Sequence, residues 1–369
     1  ATVSIQNCVF AGNSAGGGGA IALAGEAHCA LSCCDLYGNA PADWVSPGLA
    51  EQYGINGNFS EDPLFCDPTA IDYRLRGDSP CAPNHPVNPT CGLVGAWGVG
   101  CSEPFTIRLQ SDGTGDYPTI QAAIDAAQDG NVIELGDGIY TGPGNTDLQI
   151  DGKHLTIRSA SWNPRLCIIE CQTTGRDFHR GFYIGANEGP ETVLQGITIR
   201  NGYAEVGGAI YCLGSSPTIR RCILTANSAT YEGGAVFCEM ASPVLEWCEI
   251  TQNSASGGGG ISAAGGSAPA IRQTTLADNQ GYPGAIWCHD MSSLIVEKSI
   301  IAMNLGGTAV DCDPTSAVTL QCSDVFGNTG GNWVGCLAGQ ETQNGNLESD
   351  PLFCGGAPPE NHYKLFGNS

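Results

Sequence analysis

Residues 217–242 read PTIRRCILTANSATYEGGAVFCEMAS, and residues 243–268 read PVLEWCEITQNSASGGGGISAAGGSA. Residues 191–216 show the same pattern before them, and units of 25 and 24 residues follow at 269–293 and 294–317. The units combine short apolar segments, an Asn and a Gly-rich turn, and none has a helical period. A unit of this length cannot bury an apolar face alone, so the repeat predicts stacked coils of short strands.

Stacking would place equivalent residues of successive units in columns. We expect one column of Asn residues to form a buried ladder of side-chain amides, with a ligand site as the alternative. The Asn column comprises Asn201, Asn227, Asn253, Asn279, Asn304 and Asn328. A second column alternates in charge, which would bring opposite charges to coils about 4.8 Å apart. The charged column comprises Arg220, Glu246, Arg272 and Glu297.

These repeats resemble the pectin-lyase-like right-handed parallel β-helix superfamily, especially its secreted bacterial β-helix-repeat proteins. Residues 111–129, SDGTGDYPTIQAAIDAAQD, with Gly138-Ile139-Tyr140 after them, resemble the opening coil of pectin methylesterases. The resemblance implies an all-β fold, a right-handed parallel β-helix. Pro118 and the amphipathic stretch 119–127 predict a short helix that caps the open end of the solenoid.

A longer repeat divides the chain. CDLYGN at 34–39 matches SDVFGN at 323–328, SEDPLFC at 60–66 matches ESDPLFC at 348–354, and 72–79 matches 362–369. We therefore predict that residues 1–101 are the C-terminal coils and tail of one β-helix domain. Residues 102–369 would form a second domain that lacks its own final tail, with a hinge at 92–104. The chain would be a window from a tandem array or, as the alternative, a unit whose first coils complete a neighbour.

The 19 cysteines are the unusual feature of the composition. Several fall one coil apart, where the Cα spacing of about 4.8 Å suits a disulfide, although buried free thiols are the alternative. The oxidising compartment that the resemblance implies favours disulfides. The candidate columns are Cys222 with Cys248, Cys212 with Cys238, Cys8 with Cys34, and Cys288 with Cys312 and Cys336. Cys354 has no cysteine after it, so we expect it to be unpaired here and bonded in a longer chain.

Charge and motifs limit the function. Fourteen Lys and Arg against 37 Asp and Glu give a net charge of −23, which argues against nucleic acid or an anionic membrane as partner. No apolar run is long enough for a transmembrane segment. Arg165, Arg176 and Arg180 have no acidic cluster at matching positions, and no carboxyl pair suited to glycoside hydrolysis stands out. We predict no cofactor; calcium at 311–313 or at His289-Asp290 is the alternative.

The sequence therefore favours a secreted or cell-surface structural protein without catalysis. Copies of itself or adjacent tandem domains would join end to end in a stalk, coat or filament. One alternative is a polysaccharide lyase or glycoside hydrolase, or a degenerate relative, that acts on acidic polysaccharide. The other is a carbohydrate-binding adhesin module that stacks sugars on exposed aromatic side chains. Its candidate platforms are Tyr203, Tyr231, Trp247 and Trp287.

Overall fold

The computed structural model describes residues 2–14, 19–23, 27–44, 48–68, 72–100, 105–171, 177–354, 363 and 365. The chain divides into two compact units, Ala1–Phe105 and Thr106–Ser369, called unit 1 and unit 2 below. Residues 101–104 of the predicted hinge lie outside the described residues, as does most of the predicted match at 362–369.

Unit 1 contains two parallel strand pairs and a hairpin. The strands are β1 (Thr2–Gln6), β2 (Val9–Ala11), β3 (His28–Ser32), β4 (Asp35–Tyr37), β5 (Phe65–Asp67) and β6 (Asp72–Leu75). β1 pairs with β3, β2 pairs with β4, and β5 runs antiparallel to β6. A disulfide between Cys33 and Cys91 ties the tail of the unit to its coils.

Unit 2 is a right-handed parallel β-helix with one short helix, which confirms the predicted all-β fold class. Its strands are short because each coil turns at Gly or at other positive-φ residues after a few apolar positions. In chain order the elements are β7 (Thr106–Leu109), α1 (Ile120–Ala126), β8 (Val132–Leu135), β9 (Gly138–Thr141), β10 (Leu148–Gln149), β11 (Thr156–Ser159), β12 (Cys167–Glu170), β13 (Phe182–Ile184), β14 (Val193–Gln195), β15 (Thr198–Arg200), β16 (Tyr203–Val206), β17 (Ile210–Leu213), β18 (Thr218–Arg220), β19 (Ile223–Thr225), β20 (Ser228–Glu232), β21 (Val236–Glu239), β22 (Val244–Glu246), β23 (Glu249–Thr251), β24 (Ser254–Ala255), β25 (Ile261–Ala264), β26 (Ala270–Arg272), β27 (Thr275–Ala277), β28 (Gln280–Gly281), β29 (Gly284–Cys288), β30 (Ser293–Glu297), β31 (Ile300–Ala302), β32 (Thr308–Cys312), β33 (Ala317–Gln321) and β34 (Asp324–Phe326).

Four parallel sheets form the walls of this solenoid. Sheet A contains β7, β8, β11, β14, β18, β22, β26, β30 and β33, and sheet B contains β9, β12, β15, β19, β23, β27, β31 and β34. Sheet C contains β16, β20, β24 and β28, and sheet D contains β10, β13, β17, β21, β25, β29 and β32. A complete coil visits the sheets in the order A, B, C, D. Every second side chain points inward, so that columns of Ile, Leu and Val fill the core.

The predicted helix caps the solenoid. Thr119 is its N-cap, and the Thr119 hydroxyl accepts a hydrogen bond from the Ala122 N–H at 3.2 Å. Ile120, Ala123 and Ile124 are fully buried, so the apolar face of the helix packs inward. Among the residues with described structure, no helix is both long enough and apolar enough to cross a membrane.

The Asn ladder runs along the turn between sheets B and C. Asn253 illustrates it: its Nδ2 donates to the Leu224 carbonyl at 2.9 Å and to Asn279 Oδ1 at 2.9 Å. The same contacts recur at the buried Asn227, Asn279 and Asn304. Asn328, also buried, ends the ladder: its Nδ2 donates to the Ile301 carbonyl and to Asn332 Oδ1, both at 2.9 Å. These side-chain amides form their hydrogen bonds within the turns of the solenoid, which favours the structural interpretation over a ligand site.

Asn201 corrects the predicted column. The pairing of β15 with β19 aligns Arg200 with Thr225, so Gly202 occupies the ladder position beside Asn227. The Gly202 N–H donates to Asn227 Oδ1 at 2.9 Å. Asn201 instead lies one position earlier, at a positive φ of 56°, and donates to Glu170 Oε1 at 2.7 Å. The sequence does not reveal this one-residue shift in strand register, because both segments have an Asn near the turn.

Most of the predicted disulfides are also corrected. Cys312 bonds to Cys336, with a Cα–Cα distance of 5.9 Å, but Cys288 and the pairs Cys222/Cys248, Cys212/Cys238 and Cys8/Cys34 are free thiols. In-register residues of parallel strands, such as Cys212 and Cys238, have parallel Cα–Cβ bonds. Their Cβ atoms therefore stay about 4.8 Å apart, beyond the usual Cβ separation of a disulfide.

The cysteines that do bond lie on differently oriented segments. Cys336 lies in a 3₁₀ turn (Gly335–Leu337), and Cys91 lies in the tail of unit 1. Cys354 is a free thiol, and so is the exposed Cys322, which occupies the position in unit 2 that Cys33 has in unit 1. The expected bond of Cys354 in a longer chain stays a prediction.

Candidate functional site

A seven-residue loop, 160–166, distinguishes one corner of the solenoid. The three coils after it pass from sheet A to sheet B in two residues, at 196–197, 221–222 and 247–248. The longer loop lies along the outer surface of these coils: the Thr198 hydroxyl donates to the Pro164 carbonyl at 2.7 Å. Arg165, at its far end, forms a salt bridge with Glu249 at 2.9 Å. We call residues 160–166 the corner loop.

The corner loop forms one wall of two adjoining clefts. The corner cleft, with a volume of about 570 Å³, lies between the loop and the next corners, and Trp162, Arg221 and Trp247 line it. The face cleft, with a volume of about 330 Å³, continues over the outer face of sheet B toward Tyr363. Arg165 and Glu249 line both clefts, so the two form one continuous depression.

The corner cleft presents aromatic rings and a cation to solvent. Trp162 and Trp247 are 48% and 44% exposed, and both have a positive φ, 59° and 53°, which directs the side chain away from the core. The Arg158 guanidinium lies 5.2 Å from the Trp162 ring centroid and that of Arg221 lies 5.6 Å from Trp247. Arg221 makes no ion pair with any residue of the described structure, so its charge faces the cleft uncompensated.

The face cleft is lined by paired charges. Arg200 Nε donates to Glu170 Oε2 at 2.6 Å, and Arg165 holds Glu249. The Tyr363 hydroxyl donates to Asp278 Oδ2 at 2.6 Å, and burial raises the pKa of this phenol well above its ordinary value. Because guanidinium groups hold both glutamates, neither carboxyl is placed as the proton donor that glycoside hydrolysis needs. The arrangement suits binding.

The predicted charged column forms a row on the outer face of sheet A. The strand register aligns Arg220, Glu246, Arg272 and Glu297 on successive coils. Arg272 pairs with Glu297 at 2.8 Å, while Arg220 donates to the Gln195 side chain at 2.7 Å. The row continues through Arg158, Glu134 and Arg108, residues that the sequence analysis did not include. Positive and negative side chains alternate along the row, so this face offers no single-sign patch.

The four predicted sugar platforms do not share a face. Trp247 lines the corner cleft, whereas Tyr203 stacks on Phe178 with ring centroids 5.0 Å apart. Trp287 stacks on His289 at 3.9 Å, and Tyr231 is an exposed residue of sheet C. Trp162 and Arg221 were not among the residues predicted from the sequence. The available signal was the spacing of strands 156–159 and 167–170, which is longer than at the following corners.

The predicted calcium positions use their carboxylates internally. Asp313 Oδ2 accepts the Asp290 N–H at 2.9 Å, and this hydrogen bond is the main reason that the pKa of Asp313 falls to about 2. His289 Nε2 lies 2.8 Å from Glu232 Oε2, an interaction that raises the pKa of the imidazole. Within the described part of the chain, no group of three or more His, Cys, Asp and Glu side chains could hold a metal ion.

The chain is similar to one protein family over part of its length and, more distantly, to several solved structures. The family model for the right handed beta helix region matches residues 180–344. Solved structures with a similar fold include the pectate lyase Pel9A, at 15% identity over 67% of this chain and 67% of that chain, with a TM-score of 0.49. The pectin methylesterase of Aspergillus niger is 17% identical over 68% of this chain and 91% of that chain, with a TM-score of 0.37. Pectin methylesterase from carrot is 13% identical over 68% of this chain and 90% of that chain, with a TM-score of 0.36.

No curated protein matches the sequence. The family match covers much of unit 2, and the strands of the β-helix begin before it, at Thr106, and end within it, at Phe326. Unit 2 has the right-handed parallel β-helix fold, and its residues 180–344 match the family model for the right handed beta helix region.

Proposed function

We propose that this chain is an extracellular carbohydrate-binding protein whose corner cleft binds acidic polysaccharide. The observation that carries the proposal is the pair of exposed indoles, Trp162 and Trp247, with the unpaired guanidinium of Arg221 in the same cleft. The apolar face of a sugar ring packs on an indole, and a guanidinium binds a carboxylate through two parallel hydrogen bonds.

The distribution of charge supports an acidic ligand. The chain carries a net charge of −23, yet three arginines, Arg158, Arg165 and Arg221, line the corner cleft or contact its Trp162. An anionic polymer repelled by the rest of the surface would therefore meet its most favourable potential here. Because the Arg221 side chain is solvent-accessible, added salt should weaken the interaction.

Binding of polygalacturonate to the full chain, measured by affinity gel electrophoresis and calorimetry, tests the proposal. We expect Trp247→Ala and Arg221→Gln each to weaken binding by about tenfold, as loss of an aromatic or Arg anchor does. Tyr231→Ala is the matched control, since Tyr231 is also an exposed aromatic residue but lies on sheet C. Unchanged affinity in both cleft variants would contradict the proposal. Release of sugar fragments by the wild-type chain would show that it cleaves the polysaccharide, which would contradict a role in binding alone.

A structural role in a tandem array is the second candidate, and a specific repetition of contacts favours it. In unit 1 the Cys34 N–H donates to Asn58 Oδ1 at 3.0 Å, and in unit 2 the Ser323 N–H donates to Asn346 Oδ1 at 3.1 Å. Units built on one plan suit end-to-end repetition. Electron microscopy of native material would support this role if it showed fibres with a regular axial repeat, and isolated particles would count against it.

A further inference from the structure

Unit 1 contains a cleft of about 420 Å³ that is chemically unlike the clefts of unit 2. We call it the tail cleft. It lies on the outer face of β2 and beneath the β5–β6 hairpin, where Phe65 packs edge-on against Tyr73 with centroids 5.3 Å apart. Phe353 and Tyr363 make the same contact in unit 2, at 5.4 Å, and Tyr363 borders the face cleft there. The two clefts therefore share one corresponding side chain, Tyr73 in unit 1 and Tyr363 in unit 2.

The lining of the tail cleft is aromatic and uncharged. Phe10, Phe65, Tyr73 and Trp97 supply four rings, and Asn13 supplies an amide. Arg74, the charged neighbour of Tyr73, is held by two hydrogen bonds to Asp72, at 2.9 and 2.7 Å. The face cleft of unit 2, by contrast, is lined by Arg165, Arg200 and Glu249. A ligand of the tail cleft should therefore be neutral, because no lining side chain would compensate a charge.

Trp97 is exposed although its backbone is fastened on both sides. The Gly95 N–H donates to the Asn7 carbonyl at 2.8 Å, and the Leu75 N–H donates to the Gly98 carbonyl at 3.2 Å. Gly95 lies so close to β2 that a Cβ there would come within 3.2 Å of Val9 Cγ2, and its φ is +108°. The Trp97 side chain is nevertheless 60% exposed. A large apolar ring held rigidly in solvent costs free energy, which a ligand that covers it would recover.

We propose that the tail cleft is a second carbohydrate site, specific for uncharged pyranose units. The face of a neutral sugar ring packs on the Trp97 indole, with the Tyr73 ring as a second contact. The Tyr73 hydroxyl and Asn13 Oδ1 supply hydrogen bonds to sugar hydroxyls, while Asn13 Nδ2 donates to Asn39 Oδ1 at 2.8 Å. This site shares no residue with the corner cleft, so the chain would engage an acidic and a neutral polysaccharide at separate places.

The test uses the full chain and two probes, a neutral galactan and polygalacturonate, in calorimetric titrations. We expect Trp97→Ala to weaken galactan binding by about tenfold and to leave polygalacturonate binding unchanged. Trp247→Ala should do the reverse. Trp97→Phe, which keeps a ring, should retain most of the galactan affinity, and hydrogen exchange of unit 1 should show that the fold of Trp97→Ala is intact.

Two results would overturn the inference. One is absence of galactan binding by the wild-type chain, or binding that Trp97→Ala leaves unchanged. The other is self-association in sedimentation experiments that Trp97→Ala abolishes, since the cleft would then be a contact between copies of the chain. Neither result affects the proposed function of the corner cleft, which depends on polygalacturonate binding and on Trp247.

Discussion

Asp35 in unit 1 is a buried carboxyl group whose replacement by Asn should change the pH dependence of stability. Its side chain has no solvent exposure, Oδ1 accepts the Glu61 N–H at 3.1 Å, and Oδ2 lies 3.3 Å from the Cys81 thiol. Burial disfavours the charged form and raises the pKa of Asp35 from 3.8 to about 7. The folded unit therefore holds a proton that the unfolded chain has already released at mildly acidic pH.

The sign and size of the effect follow from linkage. Because the pKa of the folded state is higher, the stability is fully present below about pH 4 and is lost as pH rises through about 7. A rise in pKa from 3.8 to about 7 corresponds to a loss of about 4 kcal/mol when complete. Of this, about 2 to 3 kcal/mol falls between pH 5 and pH 8. Asn cannot ionise, so Asp35→Asn should escape this loss.

Hydrogen exchange of the full chain at pH 5 and pH 8, corrected for intrinsic rates, is the suitable assay. The increase in the opening free energy of β3 and β4 that Asp35→Asn causes, relative to wild type, should be about 2 to 3 kcal/mol larger at pH 8 than at pH 5. Peptides from unit 2 are the internal reference, and Glu51→Gln is the control for an exposed carboxyl group in unit 1. An effect of equal size at both pH values would refute the reasoning.

Three further expectations concern the β-helix. Asn253→Ala removes side-chain hydrogen bonds to Leu224 and Asn279 inside the ladder and should destabilise unit 2 by about 3 kcal/mol in urea denaturation, whereas Asn201→Ala should cost less than about 1 kcal/mol. Burial also raises the pKa of Asp324, so Asp324→Asn should, like Asp35→Asn, increase stability relative to wild type more at pH 8 than at pH 5. A loss of stability at pH 8 would contradict this. Alkylation under denaturing, non-reducing conditions should modify Cys212, Cys222, Cys238 and Cys248 but not Cys33, Cys91, Cys312 or Cys336, as mass spectrometry can show.

Local regularity made the fold readable from the sequence. The apolar positions recur in every coil, because each strand must point the same side chains inward, and Pro118 with Thr119 marks the start of the capping helix. The shift at Asn201 was not readable, because the register depends on which backbone groups pair and not on residue type. The predicted disulfides were wrong for a related reason, because the Cα spacing does not determine the direction of the Cα–Cβ bonds.

The clefts were less predictable than the fold. Arg165 and Glu249 are separated by 84 residues, and their contact depends on how far the corner loop reaches along the solenoid. The cleft that Trp97 lines depends on a tail that folds back over β2, which no repeat in the sequence encodes. Long-range placement of single side chains requires knowledge of the coil geometry, which periodicity alone does not supply.

Residues at the corners of the solenoid can change, and so alter what the surface binds, without affecting the packing that stabilises the core. At each two-residue corner, a positive-φ residue such as Arg221, Trp247, Gln273 or Lys298 points outward, while strand pairing on both sides keeps the register. The corner loop shows that a corner also accepts extra residues without disturbing the strands that flank it. New binding specificities can therefore arise by substitution or insertion at these positions with little effect on the core. For the same reason, loops of chosen chemistry could be grafted at successive corners, at intervals set by the rise of about 4.8 Å per coil.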